Sequence, residues 1–401
     1  MKAWCPKRFG LALMSGIIFI SCGGGGSGMN AGGGIDGSGF IAQGSISAFG
    51  SIAVNGTEFD TSNAAVIIKG EEIGVGDVIV RDNLDIGRVV TVEGRRTGGP
   101  NTVVADRILY SDNVEGPVSS IRIIDNITKE IIVLGQAVMV HAVTAFKNTT
   151  YDTIAVDDIV EASGFVDHTG AIWATFIGKT GVFSPGVVVE VKGDVVNLDT
   201  ILKTFQVNDL TVDYSLADMS SLPGRIPADG MRVEVEGALD AAGDVLTATQ
   251  VRLDDDLSTV DSNEIEVMGF VTDFISLTEF TVGNQLVQTD AGTIFTDGTP
   301  QDIRRGVKLE AEGTLVNGVL IATEIEFWGP NQIEVEGLVT SIVSRSEFTV
   351  GNQAVRTKAD TVFEDGAPGD IALGVKLEIK GVPVDAGRSI LIADKVSFEN
   401  P

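Results

Sequence analysis

Side chains able to do chemistry are few in this chain, and they are scattered. It holds two histidines, His141 and His168. His141 follows the apolar stretch Val138-Met139-Val140, and His168 sits in the turn-like run Asp167-His168-Thr169-Gly170. A general base or a metal centre needs partner groups brought to the imidazole. No such partners recur around either one, so both read as ordinary strand and turn residues. Asp254, Asp255, Asp256 and Asp261 offer hard oxygen ligands of the kind calcium takes. They lack the D-x-D-x-D-G spacing of a calcium loop, so a solvated linker is the favoured reading and calcium the lesser alternative. Trp328, beside Gly329-Pro330, suits packing between structural units or contact with a ligand, while Trp173 is expected in a β core. Nucleophile elbows, H-E-x-x-H helices and phosphate loops are absent. With 56 acidic residues no carboxylate pair stands out as a glycosidase pair would. The expectation is therefore no catalytic residue, no cofactor and no enzyme.

The N-terminal segment carries the most specific chemical signal. Lys2, Lys7 and Arg8 precede an apolar run over 9–20, too short to span a bilayer, which takes about 20 residues, and suited to a secretory signal. It ends Phe19-Ile20-Ser21-Cys22-Gly23, which resembles the bacterial lipobox, with phenylalanine where leucine is usual. That resemblance implies acylation of Cys22 (palmitate among its lipids), anchorage in the cell envelope and, with glycine after the cysteine, the outer membrane. The Gly/Ser-rich run that follows suits a flexible tether. The other cysteine, Cys5, falls in the signal, which leaves no pair for a disulfide.

The formal charge is −28, and loss of residues 1–21, with three cations and no acids, makes it −31. Such a field repels nucleic acid and anionic lipid. Aromatic residues make up only 6% of the chain, whereas single-strand binding needs a basic groove studded with them. Nucleic acid is excluded as a partner.

What positions these groups is a unit of about 70 residues written five times, and a fixed period of this kind marks tandem structural modules. Gly269, Gly283, Gly306 and Gly313 return as Gly337, Gly351, Gly374 and Gly381, each 68 positions later. Val375, Leu377 and Ile379 alternate with Lys376, Glu378 and Lys380, the period of a strand with one buried face. A first glycine recurs at Gly44, Gly116, Gly193, Gly269 and Gly337. A second ends the fourth strand at Gly94, Gly164, Gly237, Gly313 and Gly381. The closing strand repeats alanine, two residues, then a β-branched residue: Ala105/Ile108, Ala174/Ile177, Ala248/Val251, Ala322/Ile325 and Ala393/Val396. Glycine inside a strand marks a bulge or bend, Gly351-Asn352 a tight turn, and Asp370-Ile371 before Gly374 a single helical turn. A sustained helical period is missing throughout.

These patterns predict an all-β chain of five small Greek-key, OB-like barrels. The expected order is a signal peptide (1–21), a tether (22–39), modules at 40–112, 113–181 and 187–253, an acidic linker (254–263), and modules at 264–328 and 332–399. The linker is the expected hinge. The glycine pattern, the VNG/VGN turns and G-x-x-[VL]-E-x-x-G resemble the bacterial domain of unknown function numbered 5666. That resemblance implies a β fold and an envelope location, and it brings no catalytic residues. The function expected is that of a non-enzymatic, lipid-anchored envelope protein presenting a string of modules for binding or scaffolding. Its partners would be the membrane through the N-terminal lipid and a polysaccharide, matrix protein or envelope protein. The alternative is an envelope hydrolase with a site between repeats.

Overall fold

The computed structural model describes residues 39–48, 52–96, 103–254, 262–329, 331–384 and 390–398. The last module shows the unit most cleanly. Its strands are Ile333–Ser344, Glu347–Val350, Gln353–Glu364, Lys376–Pro383 and Ile390–Phe398. They close in the order first, second, third, fifth, fourth and back to first, with the third and fifth parallel. This is the strand order of an OB barrel. Alternation points Leu377 and Ile379 inward with Val339, Phe348, Val350, Val355 and Leu391, all buried. Burying one such side chain is worth about 1.5–3 kcal/mol.

The fourth module repeats the ring with Ser262–Ser276, Glu279–Val282, Gln285–Thr296, Lys308–Val316 and Val319–Trp328. The second uses Val114–Ile123, Thr128–Val133, Gln136–Lys147, Asp158–Val166 and Ile172–Val182. In the third module the first strand is broken into Val188–Asp194 and Val196–Asp199. In the first module the third strand is broken into Thr57–Asp60 and Ala65–Ile68, both parallel to the closing strand Val103–Tyr110.

The expected helical turn is the 3-10 turn Pro368–Asp370, and the fourth module has its counterpart in Pro300–Asp302. In each, the aspartate's carboxylate accepts a hydrogen bond from the backbone N–H three residues back, at 2.9 Å in the last module and 3.0 Å in the fourth. The first module instead has a short α-helix, Asp77–Asn83, seated by buried Val80 and Leu84. At two turns it is too short to leave a periodic signal in the sequence.

The recurrent glycines and alanines turn out to be two contacts. At the end of the fourth strand Gly94, Gly164, Gly237, Gly313 and Gly381 lie opposite Ala105, Ala174, Ala248, Ala322 and Ala393, each at a register shift. A Cβ on any of these glycines would fall 2.0–2.4 Å from a carbonyl oxygen of the closing strand. The first-strand glycines make room for the hairpin instead. A Cβ at Gly44, Gly116 or Gly193 would meet Asn55, Leu134 or Val207 at 1.8, 2.6 and 2.8 Å.

The modules do not form a string. Phe40–Gln43 of the first module pairs in parallel with Glu264–Val267 of the fourth, joining two barrels far apart in sequence. Val114 and Glu115 of the second pair with Val191 and Glu190 of the third. Side chains of the first module also reach the second (Arg88 to Glu161) and the fifth (Glu58 to Lys376). Of the expected acidic hinge, Asp254 is tied down by ion pairs with Lys192 (3.3 Å) and Arg232 (2.9 Å). Ser262 already begins a strand, and 255–261 lie outside the described residues.

The Gly–Ala contact makes a direct prediction. Gly313→Ala drives a methyl into the Ile321 carbonyl and should destabilise the fourth module by about 1–3 kcal/mol. Gly181→Ala, in a strand with open space around it, should stay within about 0.5 kcal/mol. Denaturant midpoints of the two variants against wild type check this.

Candidate functional site

The alternating charged residues on these strands were expected to face water. Instead, two of the charged faces are buried between modules, and they hold the chemistry of the described structure.

The first junction joins modules one, two and three. Asp112 is fully buried and takes an ion pair from Lys69 at 2.9 Å. The same ammonium reaches Glu115 at 2.8 Å and Glu190 at 3.3 Å. Arg88 spans to Glu161 at 2.5 Å, with Tyr110 and Phe176 rings against its guanidinium at 4.5 and 4.4 Å. Burial works against the Lys69 charge, but Asp112, Glu190 and Glu115 outweigh it and hold its pKa raised. Burial raises the carboxyl of Glu161 to about 7 with help from Asp112 and against Arg88. Burial and neighbouring Glu234 likewise raise Glu190 to about 7.

The second junction joins modules one, four and five, and its strands line up in rows. On the outer face of the fourth barrel, Glu266, Glu312 and Glu324 form one row, Met268, Glu310 and Glu326 the next, and Phe270, Lys308 and Trp328 the third. The fifth barrel presents the equivalent face as Glu334, Lys380 and Lys395. Lys395 bonds Glu326 at 3.1 Å, and Lys380 pairs with the same carboxylate. Two otherwise closely similar barrels thus dock through faces on which Lys380 and Lys395 stand where the fourth module has Glu312 and Glu324. The first module closes the side: Arg96 Nε donates to both oxygens of Glu264 at 2.8 and 2.7 Å, and Thr57 donates to Glu266 at 3.2 Å.

Trp328 is 6% exposed, in an apolar cluster with Phe165 of module two and Met268 and Phe270 of its own module. Lys380 lies 4.3 Å from its ring centroid and Lys308 5.3 Å. Trp173, expected in a barrel core, lies outside one. Its ring meets Phe270 of module four at 5.8 Å, and its Nε1 donates to Asp167 at 2.8 Å. An outward position on a closing strand looks like a core position whenever a neighbouring module covers it.

His141 is buried and its imidazole pKa lowered by burial. His168 is exposed to solvent and lies against Gly306 of module four. The two are not brought together into a site. Asp254, a candidate calcium ligand, is occupied by Lys192 and Arg232. Its partners Asp255, Asp256 and Asp261, like the lipid-attachment candidate Cys22, lie outside the described residues. Among the described residues no group of three or more His, Cys, Asp or Glu side chains is placed to hold a metal ion. A cleft of about 260 Å³ opens between modules two and three, lined by Asn113, Gln136, Lys192, Asn208 and Arg232 together with the apolar Ile172.

The sequence reasoning missed the charged junctions. Their signal is the exchange of Glu312 and Glu324 for Lys380 and Lys395 between near-identical copies, a change with no purpose on a solvated face. The first junction predicts that Arg88→Met, which leaves Glu161 buried and unpaired, costs about 3–5 kcal/mol. Arg88→Met with Glu161→Met should recover most of that loss in a denaturant titration.

No curated protein matches the chain. Among solved structures, drosophila Unr CSD456 aligns at 16% identity over 52% of this chain and 96% of that one, with a TM-score of 0.13. The model of the family described as a domain of unknown function (DUF5666) matches residues 38–108, 115–178, 202–252, 268–326 and 336–397. The third match begins beyond the broken first strand of its module. The chain is a member of the DUF5666 family, with five copies of its domain in tandem.

Proposed function

We propose that this is a non-enzymatic envelope lipoprotein, anchored through Cys22 at the outer membrane, whose modules together bind or scaffold a polysaccharide, matrix protein or envelope protein. One observation supports it above the rest. The hairpin between the first and second strands carries an exposed aliphatic side chain in each of modules two to five. These are Ile123 (76% exposed), Ile201 (89%), Ile275 (60%) and Val343 (78%). Everything else the copies share is spent on closing barrels, and the charged faces are spent on docking them. An aliphatic side chain left in water on the same hairpin of successive copies, at equivalent positions in Ile275 and Val343 and one or two residues further on in Ile123 and Ile201, is what repeated weak contact with one partner would use. Linked weak sites gain affinity by roughly 10²–10⁴ through effective concentration.

The second reading, an envelope hydrolase, would place its site in the cleft between modules two and three. Against it, Lys192 and Arg232 there are already paired with Asp254.

Two measurements test the first reading. Cys22→Ala should move the protein from the membrane fraction to the soluble one. On glycan arrays and in envelope pull-downs, changing Ile123, Ile201, Ile275 and Val343 to Ser one after another should weaken retention of one partner more than in proportion to the number changed. Undiminished retention by the quadruple variant would sink the proposal, and turnover of a polymer lost on Arg232→Ala would favour the hydrolase.

A further inference from the structure

Among the described residues, the fifth module is the one barrel whose strands pair with no other module. It is held by the junction of side chains already described and by the short connection through Gly329 to Gln332, and its fourth strand also lies against the third strand of module two. Carboxylates outnumber cations in that junction. Glu310 contributes from the fourth barrel at 3% exposure, and its Oε1 meets no hydrogen-bond donor.

We infer that the junction between modules one, four and five is a pH-dependent clasp: closed while its buried carboxyls are protonated, and releasing the fifth barrel as they ionise.

Glu266, Lys380, Glu312 and Glu326 act directly on Glu310, and the charged groups of the whole junction come from each side. On its own strand stand Lys308 and Glu312. The adjoining strands of the same barrel bring Glu264 and Glu266, and Glu324 and Glu326. The fifth barrel contributes Glu334 and Glu336 from its first strand, Lys376, Glu378 and Lys380 from its fourth, and Lys395 from its fifth. The first module adds Glu58 and Arg96. Lys380 and Lys395 are both engaged with Glu326, and Arg96 with Glu264. Lys376 pairs with Glu336. Lys380 also reaches Glu378 at 3.6 Å and Glu334 at 3.9 Å. That leaves Glu266, Glu310, Glu312 and Glu324 on adjoining strands without a cation of their own. Buried carboxylates in that state take up protons rather than stay charged.

The directions in which burial and charge push these carboxyls agree in sign. Burial, then Glu266, pushes Glu310 well above the usual carboxyl range, and burial with Glu312 does the same to Glu266. Glu334 is raised by burial and Glu378. Glu312 is raised to about 7 by burial and then by Glu324 and Glu326. A carboxyl raised in the docked state contributes its full stabilisation below its ordinary value, and loses it as pH rises through the docked value. The clasp therefore weakens through about pH 7 and above. Lys308, lowered to about 8 by burial, acts oppositely, but only above that pH.

The test uses the full chain between pH 5.5 and 8.5. Emission from Trp328, taken against the Trp328→Phe variant, and the radius of gyration from small-angle scattering report docking. Far-UV circular dichroism reports the barrels. Emission should shift red and the radius should grow as pH rises, with the β signal unchanged. Glu310→Gln, a permanent stand-in for the protonated acid, should move the midpoint up by about one pH unit or more. Lys380→Met should move it down. The inference is overturned if emission and radius stay flat in the wild type, if they change only with loss of the β signal, or if both variants keep the wild-type midpoint.

Discussion

Everything in this molecule rests on one close approach, repeated five times. Where the fourth strand meets the closing strand, a glycine lies so near the opposite backbone that any side chain would overlap a carbonyl oxygen. The alanine facing it is small for the same reason. This bulge bends the sheet enough for five short strands to complete a ring. Without it a unit of this size could not close over its own core, and a domain that buries so little surface has no margin for an open edge.

The second constraint is that the barrels cannot remain independent. Their inner faces are Val, Ile and Leu of ordinary kind, but their outer faces meet, and charged residues are enclosed where they do. Burying charge contributes little net stability, because desolvation cancels most of the attraction. What it does supply is discrimination. Five barrels of one fold present similar apolar edges, so a greasy interface would fit many wrong pairings. With Lys380 and Lys395 opposite Glu326, one pairing satisfies the charges, while docking two copies of the fourth face would set Glu310 and Glu312 against themselves. Duplication supplies the barrel, and a few charge exchanges give each copy its place.

The barrels were legible in the sequence because their determinants are local. Period-two alternation, a glycine at a fixed offset and a turn pair each act within one module. Asn55-Gly56, for instance, has both residues at positive φ, as a tight hairpin requires. The junctions were not legible, since alternation distinguishes the two faces of a strand but cannot tell water from a neighbouring protein face. Lys376, Glu378 and Lys380 therefore read as the face away from the core, and Trp173 as core, for one and the same reason. The helix Asp77–Asn83 was missed because seven residues cannot establish a period.

The parallel pairing of Phe40–Gln43 with Glu264–Val267 sets an order of events in time. The edge strand Phe40–Gln43 leaves the ribosome more than two hundred residues ahead of the strand that covers it. At about 5–20 residues per second that interval is some 10–45 s. For all of it Ile41, which finally belongs to the fourth module's core, stands uncovered on an open strand of the kind that recruits other chains. A chain built this way favours whatever keeps it unfolded or attended until its fourth repeat is complete, so the order of synthesis becomes part of how it folds.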